Sequence, residues 1–277
     1  MASITWGMTP IFFKYMADFT TLEVVAHRVV WTVVTMLVVA YFTQRMTRLR
    51  LALTTPKEMG LITISAVLIT INWLAYVYAV ETNRITEASL GYYIYPLMVV
   101  AVGVFGLGEK LSAREWVAVT LAFMGVVLKT YENGGAPVIA LIVSASFTVY
   151  TLLGKTRATG PVVGLLAEVI VLVPFAAGFL AVLAINGVGE FGAGGAVNSG
   201  LAVASGIITA VPLVMYIAAS RMIGIAFGGL LFYLAPSLQL VIGVMIYDEP
   251  FTPLDGVAFG LIWISLLVLA WPRRAKA

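Results

Sequence analysis

GYYIYPLMVVAVGVFGLGEKL (residues 91–111) and LFYLAPSLQLVIGVMIYDEPF (231–251) are two copies of one pattern, set 140 residues apart. Aligned without a gap, Tyr93 meets Tyr233, Pro96 meets Pro236, Gly103 meets Gly243 and Glu109 meets Glu249, with each glutamate 13 residues after its proline. The same offset pairs Gly60 with Gly200, Leu61 with Leu201, Ser65 with Ser205, Tyr76 with Tyr216, Ala79 with Ala219 and Leu90 with Leu230. The chain therefore reads as a tandem duplication. Each copy holds five hydrophobic runs of helix length, an odd number, so the second copy is expected to enter a bilayer upside down. Inverted-topology repeats of this kind build many secondary transporters.

Composition supports a membrane reading. Of 277 residues, 61% are hydrophobic and 10% charged, and the mean hydropathy is +1.04. A soluble domain carries roughly 25% charged residues, so this chain could not cover a water-facing surface. The net charge of +3 implies no nucleic-acid partner, because the basic residues fall in short links between apolar runs. The absence of cysteine excludes disulfides and thiol chemistry. The first apolar run begins at Met1 with no basic segment before it, which is not the pattern of a cleavable signal. No GxSxG elbow, HExxH pair or P-loop is present, and one histidine without cysteine leaves too few ligands for a transition-metal centre. The expectation is a protein that is not an enzyme, holds no cofactor or metal, and draws its energy from gradients.

A helix crossing ~30 Å of hydrocarbon needs ~20 residues. Ten runs meet this, at about 1–17, 22–43, 58–80, 86–107, 112–130, 136–153, 161–185, 198–219, 224–246 and 253–271. The first is short, since Met1 to Tyr15 spans only ~22 Å at 1.5 Å per residue. The longest link, Asn186 to Asn198, is glycine-rich and is expected to be the most mobile. With the N-terminus inside, twelve Lys and Arg residues fall on the cytoplasmic side and only Lys14, Arg84 and Lys129 on the other. That bias predicts cytoplasmic N- and C-termini.

The strings TWGMTPIFFK (5–14), EVVAHRVVW (23–31), NWLAYVYAV (72–80), EASLGYYIYPL (87–97), LGEKLS (107–112), SASFTVYTLLGK (144–155), ITAVPLVMY (208–216), GLLFYLAPSLQ (229–239) and DEPF (248–251) resemble the RarD branch of the EamA-type transporters, in the drug/metabolite transporter superfamily. The resemblance covers nearly the whole chain. It implies an all-α integral membrane protein with ten transmembrane helices as two inverted five-helix repeats, at 1–130 and 136–271. It also implies a bacterial inner-membrane location and outward movement of small organic solutes. The family strings more often hold Asn and Gln at the positions of Tyr95 and Phe232, and Asn at that of Glu81, so inference of substrate from relatives is weakened here.

Ionisable groups inside a membrane are costly and default to functional candidates. Glu168 in the seventh run and His27 and Arg28 in the second qualify, and at an offset of 141 His27 falls on Glu168. Arg28 can offer paired donors to a carboxylate. One histidine and one glutamate permit protons as coupling ion without requiring it. Asn72, Tyr76 and Asn83 are spaced to share one helix face, and Tyr216 is the repeat partner of Tyr76. Tyr92, Tyr95, Phe232 and Tyr233 precede Pro96 and Pro236, while Trp6 and Tyr150 occupy corresponding parts of the first and sixth runs. Part of this aromatic set is expected to line a substrate cavity and part to form an interfacial belt. Pro96 and Pro236 are expected hinges, because a proline removes a helix hydrogen bond.

The resulting expectation is a secondary transporter, working by alternating access. Its substrate would be an amino acid with an aromatic or apolar side chain, moved outward, and the protein would act as a monomer or homodimer in the lipid bilayer. The alternatives are a drug or quaternary-cation exporter and, from a different class, a non-transporting membrane sensor subunit.

Overall fold

Where water is absent the backbone must satisfy its own polar groups, and helices do so segment by segment. The computed structural model describes residues 2–107, 111–132, 135–222 and 233–270. Among the described residues there are twelve helices and no strand. They are α1 (Ala2–Gly7), α2 (Thr9–Lys14), α3 (Thr21–Phe42), α4 (Met46–Thr54), α5 (Pro56–Glu81), α6 (Ile85–Leu107), α7 (Ala113–Glu132), α8 (Val138–Thr156), α9 (Pro161–Ile185), α10 (Gly195–Met222), α11 (Leu234–Ile246) and α12 (Pro253–Ala270). Helices α3, α5, α9 and α10 are each long and apolar enough to cross a bilayer, and α8, α11 and α12 are shorter apolar helices.

Inside and outside are reversed relative to a water-soluble protein. Phe123, Phe175 and Leu267 stand exposed, while Thr32, Ser65, Glu168 and Ser205 are fully buried. Apolar exposure on this scale is stable only against lipid or another protein. The chain is therefore an all-α, multi-pass membrane protein.

Two local features depart from the sequence expectation. The first run is broken at Met8 into α1 and α2, with Pro10 in the first turn of α2. Proline has no N–H to offer the Trp6 carbonyl four residues back. That carbonyl is taken instead by Thr9 Oγ1 at 2.6 Å and Gln239 Nε2 at 3.1 Å. The second feature is α4, in a stretch expected to be a link. Its Leu49 and Ala52 turn inward while Arg48 and Arg50 stay exposed, an amphipathic pattern suited to an interface.

In the packing, α3 lies against α9 and α10, α5 and α6 against α8, α6 also against α11, α7 against α12, and α1 against α10 and α11. Each half of the chain thus lends its first helix to the other. Close approach of α3 and α10 depends on Gly206, where a Cβ would fall on the backbone of Trp31 and Thr32. Small residues at such crossings are how apolar helices pack without a hydrophobic driving force.

Candidate functional site

The helices converge on a cavity of about 770 Å³ of atom-free space, counted to its open mouth. The face of α5 carrying Ile69, Asn72, Trp73 and Tyr76 forms one wall, at spacings of 3, 4 and 7 residues that keep the four side chains together. The lining continues with Ile208, Thr209 and Leu213 of α10 and Ala235, Pro236 and Gln239 of α11. Trp6, Thr9 and Phe13 enter from the broken first run, Arg28 from α3, Tyr92 from α6, and Phe147 and Tyr150 from α8.

Most polar atoms of the wall are already engaged. Asn72 Nδ2 donates to the Val143 carbonyl at 3.0 Å and to Ser146 Oγ at 3.2 Å, and its Oδ1 accepts from the Tyr92 hydroxyl at 3.3 Å. Because Thr9 spends its hydroxyl hydrogen on the Trp6 carbonyl, the 2.8 Å contact between Thr9 and Tyr76 has the tyrosine as donor. A relay therefore runs from Tyr76 through Thr9 to Trp6, joining α5 to the break between α1 and α2.

Arg28 is the charged member of the wall, and it is 7% exposed. Its guanidinium carbon lies 4.5 Å from the Trp73 ring centroid and 4.9 Å from that of Phe13, both within cation–π range. Nε donates to Thr209 Oγ1 at 3.1 Å, and Nη1 has no hydrogen-bond partner among the described residues. No described carboxylate pairs with Arg28.

Of the residues singled out from sequence, Trp6, Arg28, Asn72, Tyr76, Tyr92, Tyr150 and Pro236 are on the wall. The structure places five others elsewhere. Asn83 is exposed beyond the end of α5, with φ of 56°, and accepts from Lys14. Asparagine tolerates that left-handed conformation, so it terminates the helix rather than continuing its face. His27 is buried between Phe19 and Phe191, with Glu23 at 3.9 Å. Tyr95 sits behind Phe147, its hydroxyl on Thr151. Tyr233 stacks on Tyr93 instead of facing the cavity. Glu168 is fully buried next to the wall, held by Arg157 at 2.5 Å and by the Tyr150 hydroxyl at 3.1 Å. The side chain of Tyr216 and the whole of Phe232 lie outside the described residues.

Pro96 falls in the interior of α6, and Pro174 and Pro212 lie inside α9 and α10 in the same way. Pro236 is instead the third residue of α11 as described. The glycine-rich link expected to be mobile is tied down. The Glu190 amide donates to Glu23 at 2.8 Å, Phe191 packs on His27 and Trp31, and Asn198 donates to Asp18.

The EamA-like transporter family matches residues 1–131. Protein RarD of Streptomyces exfoliatus is 35% identical over 277 residues, covering 98% of this chain and 88% of that protein. The uncharacterized transporter YojE of Bacillus subtilis (strain 168) is 33% identical, over 99% of this chain and 94% of its own. Protein RarD of Escherichia coli (strain K12) is 33% identical, over 96% and 90%. One crystal structure, 16% identical, matches with a TM-score of 0.62 over 97% of this chain and 94% of that chain, a likeness of fold alone. With relatives this similar over nearly their full length, the chain belongs to the EamA-like transporter family, in its RarD branch.

Proposed function

We propose that this membrane transporter exports small amphipathic metabolites, with amino acids bearing aromatic or apolar side chains as the leading class, by alternating access. The observation that carries the proposal is the cavity itself. Its wall is mostly ring and aliphatic surface, with a few polar groups that can orient a ligand, the usual division of labour in small-molecule sites. Its lining comes from both halves of the chain, so relative movement of the halves would change access to it. The proposed architecture is two inverted five-helix repeats with cytoplasmic termini, as a monomer or homodimer, with Pro96 and Pro236 as bending points.

The quaternary-cation reading is less favoured. Aromatic faces attract cations, but two of these rings already hold Arg28, whose charge would repel another. Glu168, the candidate counter-charge, is taken by Arg157. The test is uptake of labelled amino acids and one cationic dye into proteoliposomes, with and without a pH gradient. Accumulation of an aromatic or apolar amino acid, lost in Asn72→Ala and Tyr76→Ala, supports the proposal. Wild-type rates in both variants, or transport of the dye alone, would count against it. Gradient-driven concentration would make Glu168, joined to the wall through Tyr150, the first candidate for proton coupling.

A further inference from the structure

We infer that Arg28 seats the substrate's carboxylate, and that among small amphipathic metabolites the cavity prefers an aryl or alkyl carboxylate without a free ammonium group to the amino acid of the same shape. The inference rests on the reading of this cavity as the substrate site and, within the amphipathic metabolites proposed for it, moves the leading class from amino acids to carboxylates that lack the ammonium.

The argument begins with the cost of an unpaired buried charge. A guanidinium removed from water is tolerated when a counter-charge and hydrogen bonds replace its hydration. Arg28 is 7% exposed, its Nη1 has no hydrogen-bond partner among the described residues, and its Nε is met by the neutral hydroxyl of Thr209. The rings of Trp73 and Phe13 cover it but carry no formal charge. The acids on the inner parts of α3, α5 and α9 hold other groups. Glu23 holds the Glu190 amide, Glu168 holds Arg157 and Tyr150, and Glu81 holds Thr21 through one of its oxygens.

The cavity wall contains no aspartate or glutamate among the described residues. An incoming carboxylate therefore neutralises the site and can meet the guanidinium fork with charge-assisted hydrogen bonds. A zwitterion brings the same carboxylate but also an ammonium, and the acceptors that the described wall residues can offer it, Gln239 Oε1 among them, are neutral. An amine brings a second positive charge. Binding should therefore fall from carboxylate to zwitterion to neutral amide to amine.

Four probes with the same ring and a three-carbon chain separate these cases: 3-phenylpropionate, phenylalanine, 3-phenylpropionamide and 3-phenylpropylamine. Their binding to the purified protein in detergent is measured by calorimetry, alongside melting temperatures. The expected result is 3-phenylpropionate binding about tenfold tighter than the amide, the ratio expected when a charge-assisted hydrogen bond replaces a neutral one, with phenylalanine between them. Arg28→Gln should erase the difference between carboxylate and amide, whereas Arg28→Lys should keep much of it. Because the wild-type series carries the argument alone, poor folding of either variant does not remove the test.

Phenylalanine or the amine binding as tightly as the carboxylate would overturn the inference and leave the transport reading intact, as would an unchanged preference in folded Arg28→Gln. Failure of all four probes to bind would overturn both.

Discussion

Tyr93 and Tyr233, which occupy the same place in the two halves of the sequence, stack on each other with ring centroids 6.2 Å apart and planes 11° from parallel. Residues close to a two-fold axis must meet their own counterparts, so this contact supports the proposed inverted repeat. The helix contacts support it too, since the packing of α6 on α8 is matched by α11 on α1, and that of α5 on α8 by α10 on α1. Around the stack runs a hydrogen-bond relay. Trp263 Nε1 donates to the Tyr93 hydroxyl at 2.9 Å, and Ser237 gives its hydrogen to the Tyr233 carbonyl, so Tyr93 donates to Ser237 at 2.6 Å. Tyr93→Phe removes two hydrogen bonds and keeps the stack. Its expected cost is about 1–3 kcal/mol, read as a lower melting temperature in detergent, while Tyr93→Ala should cost about 3–5 kcal/mol. Equal melting of Tyr93→Phe and wild type would mean that the relay contributes nothing.

Glu249 joins the end of α11 to the start of α6. Its two carboxylate oxygens accept from the backbone amides of Ile85 at 2.6 Å and Thr86 at 2.7 Å. These amides lack partners within their own helix, and a negative charge at a helix N-terminus is favourable. Glu249→Gln replaces one acceptor with a donor facing an amide, and a loss of about 2 kcal/mol or more is expected. Thermal unfolding of the purified variant measures it. Glu109, the repeat partner, lies outside the described residues, and Glu109→Gln provides the parallel measurement, with a similar loss expected from the repeat.

The Arg157–Glu168 pair is buried on both sides, with side-chain exposures of 6% and 0%. Removing one member of such a pair strands the other, at about 3–5 kcal/mol, whereas replacing both with apolar residues is often neutral. Glu168→Gln alone is therefore expected to unfold far more readily than the double variant Arg157→Met, Glu168→Leu. A double-mutant cycle on melting, with uptake assayed in parallel, separates the structural role from a role in transport. Additive single effects would show that the two residues do not act as a unit.

Gly206 and Gly178 make a matched comparison. An alanine at 206 has to displace the α3 backbone at Trp31, while one at 178 meets nothing within 4 Å. Gly206→Ala is expected to cost about 1–3 kcal/mol by overpacking, and Gly178→Ala to gain about 0.5–1 kcal/mol by improving an exposed helix interior. The two melting temperatures should move in opposite directions.

The membrane class, most helix positions and the α5 stripe through Asn72 and Tyr76 were legible because apolar run length and a 3.6-residue period are local properties. Asn83 misled because that period was carried past Glu81, where a left-handed residue ends the helix. Thr9 and Gln239 were missed because their place follows from one absent N–H at Pro10, which opens the first run and frees the Trp6 carbonyl. Thr209 and Phe147 are single residues in apolar runs, and what turns them to the cavity is the crossing of α10 and α8 with α3 and α5. Helix crossing is a tertiary property that no periodicity encodes. Glu168 was found by its cost in lipid, but the sequence did not indicate that Arg157 and Tyr150 hold it beside the cavity.

Orientation can be tested cleanly because the chain has no cysteine of its own. The distribution of Lys and Arg predicts α4 on the cytoplasmic side and the link after α9 on the other, with an odd number of proposed spans between them. Arg50, exposed on α4, and Val188, 64% exposed in that link, are the two reporters. In intact cells a membrane-impermeant maleimide is expected to label Val188→Cys and to reach Arg50→Cys only after permeabilisation. The reverse pattern would invert the proposed topology. Labelling of both without permeabilisation would require an even number of crossings between residues 50 and 188, and with it the loss of one proposed span and of the inverted relation between the halves.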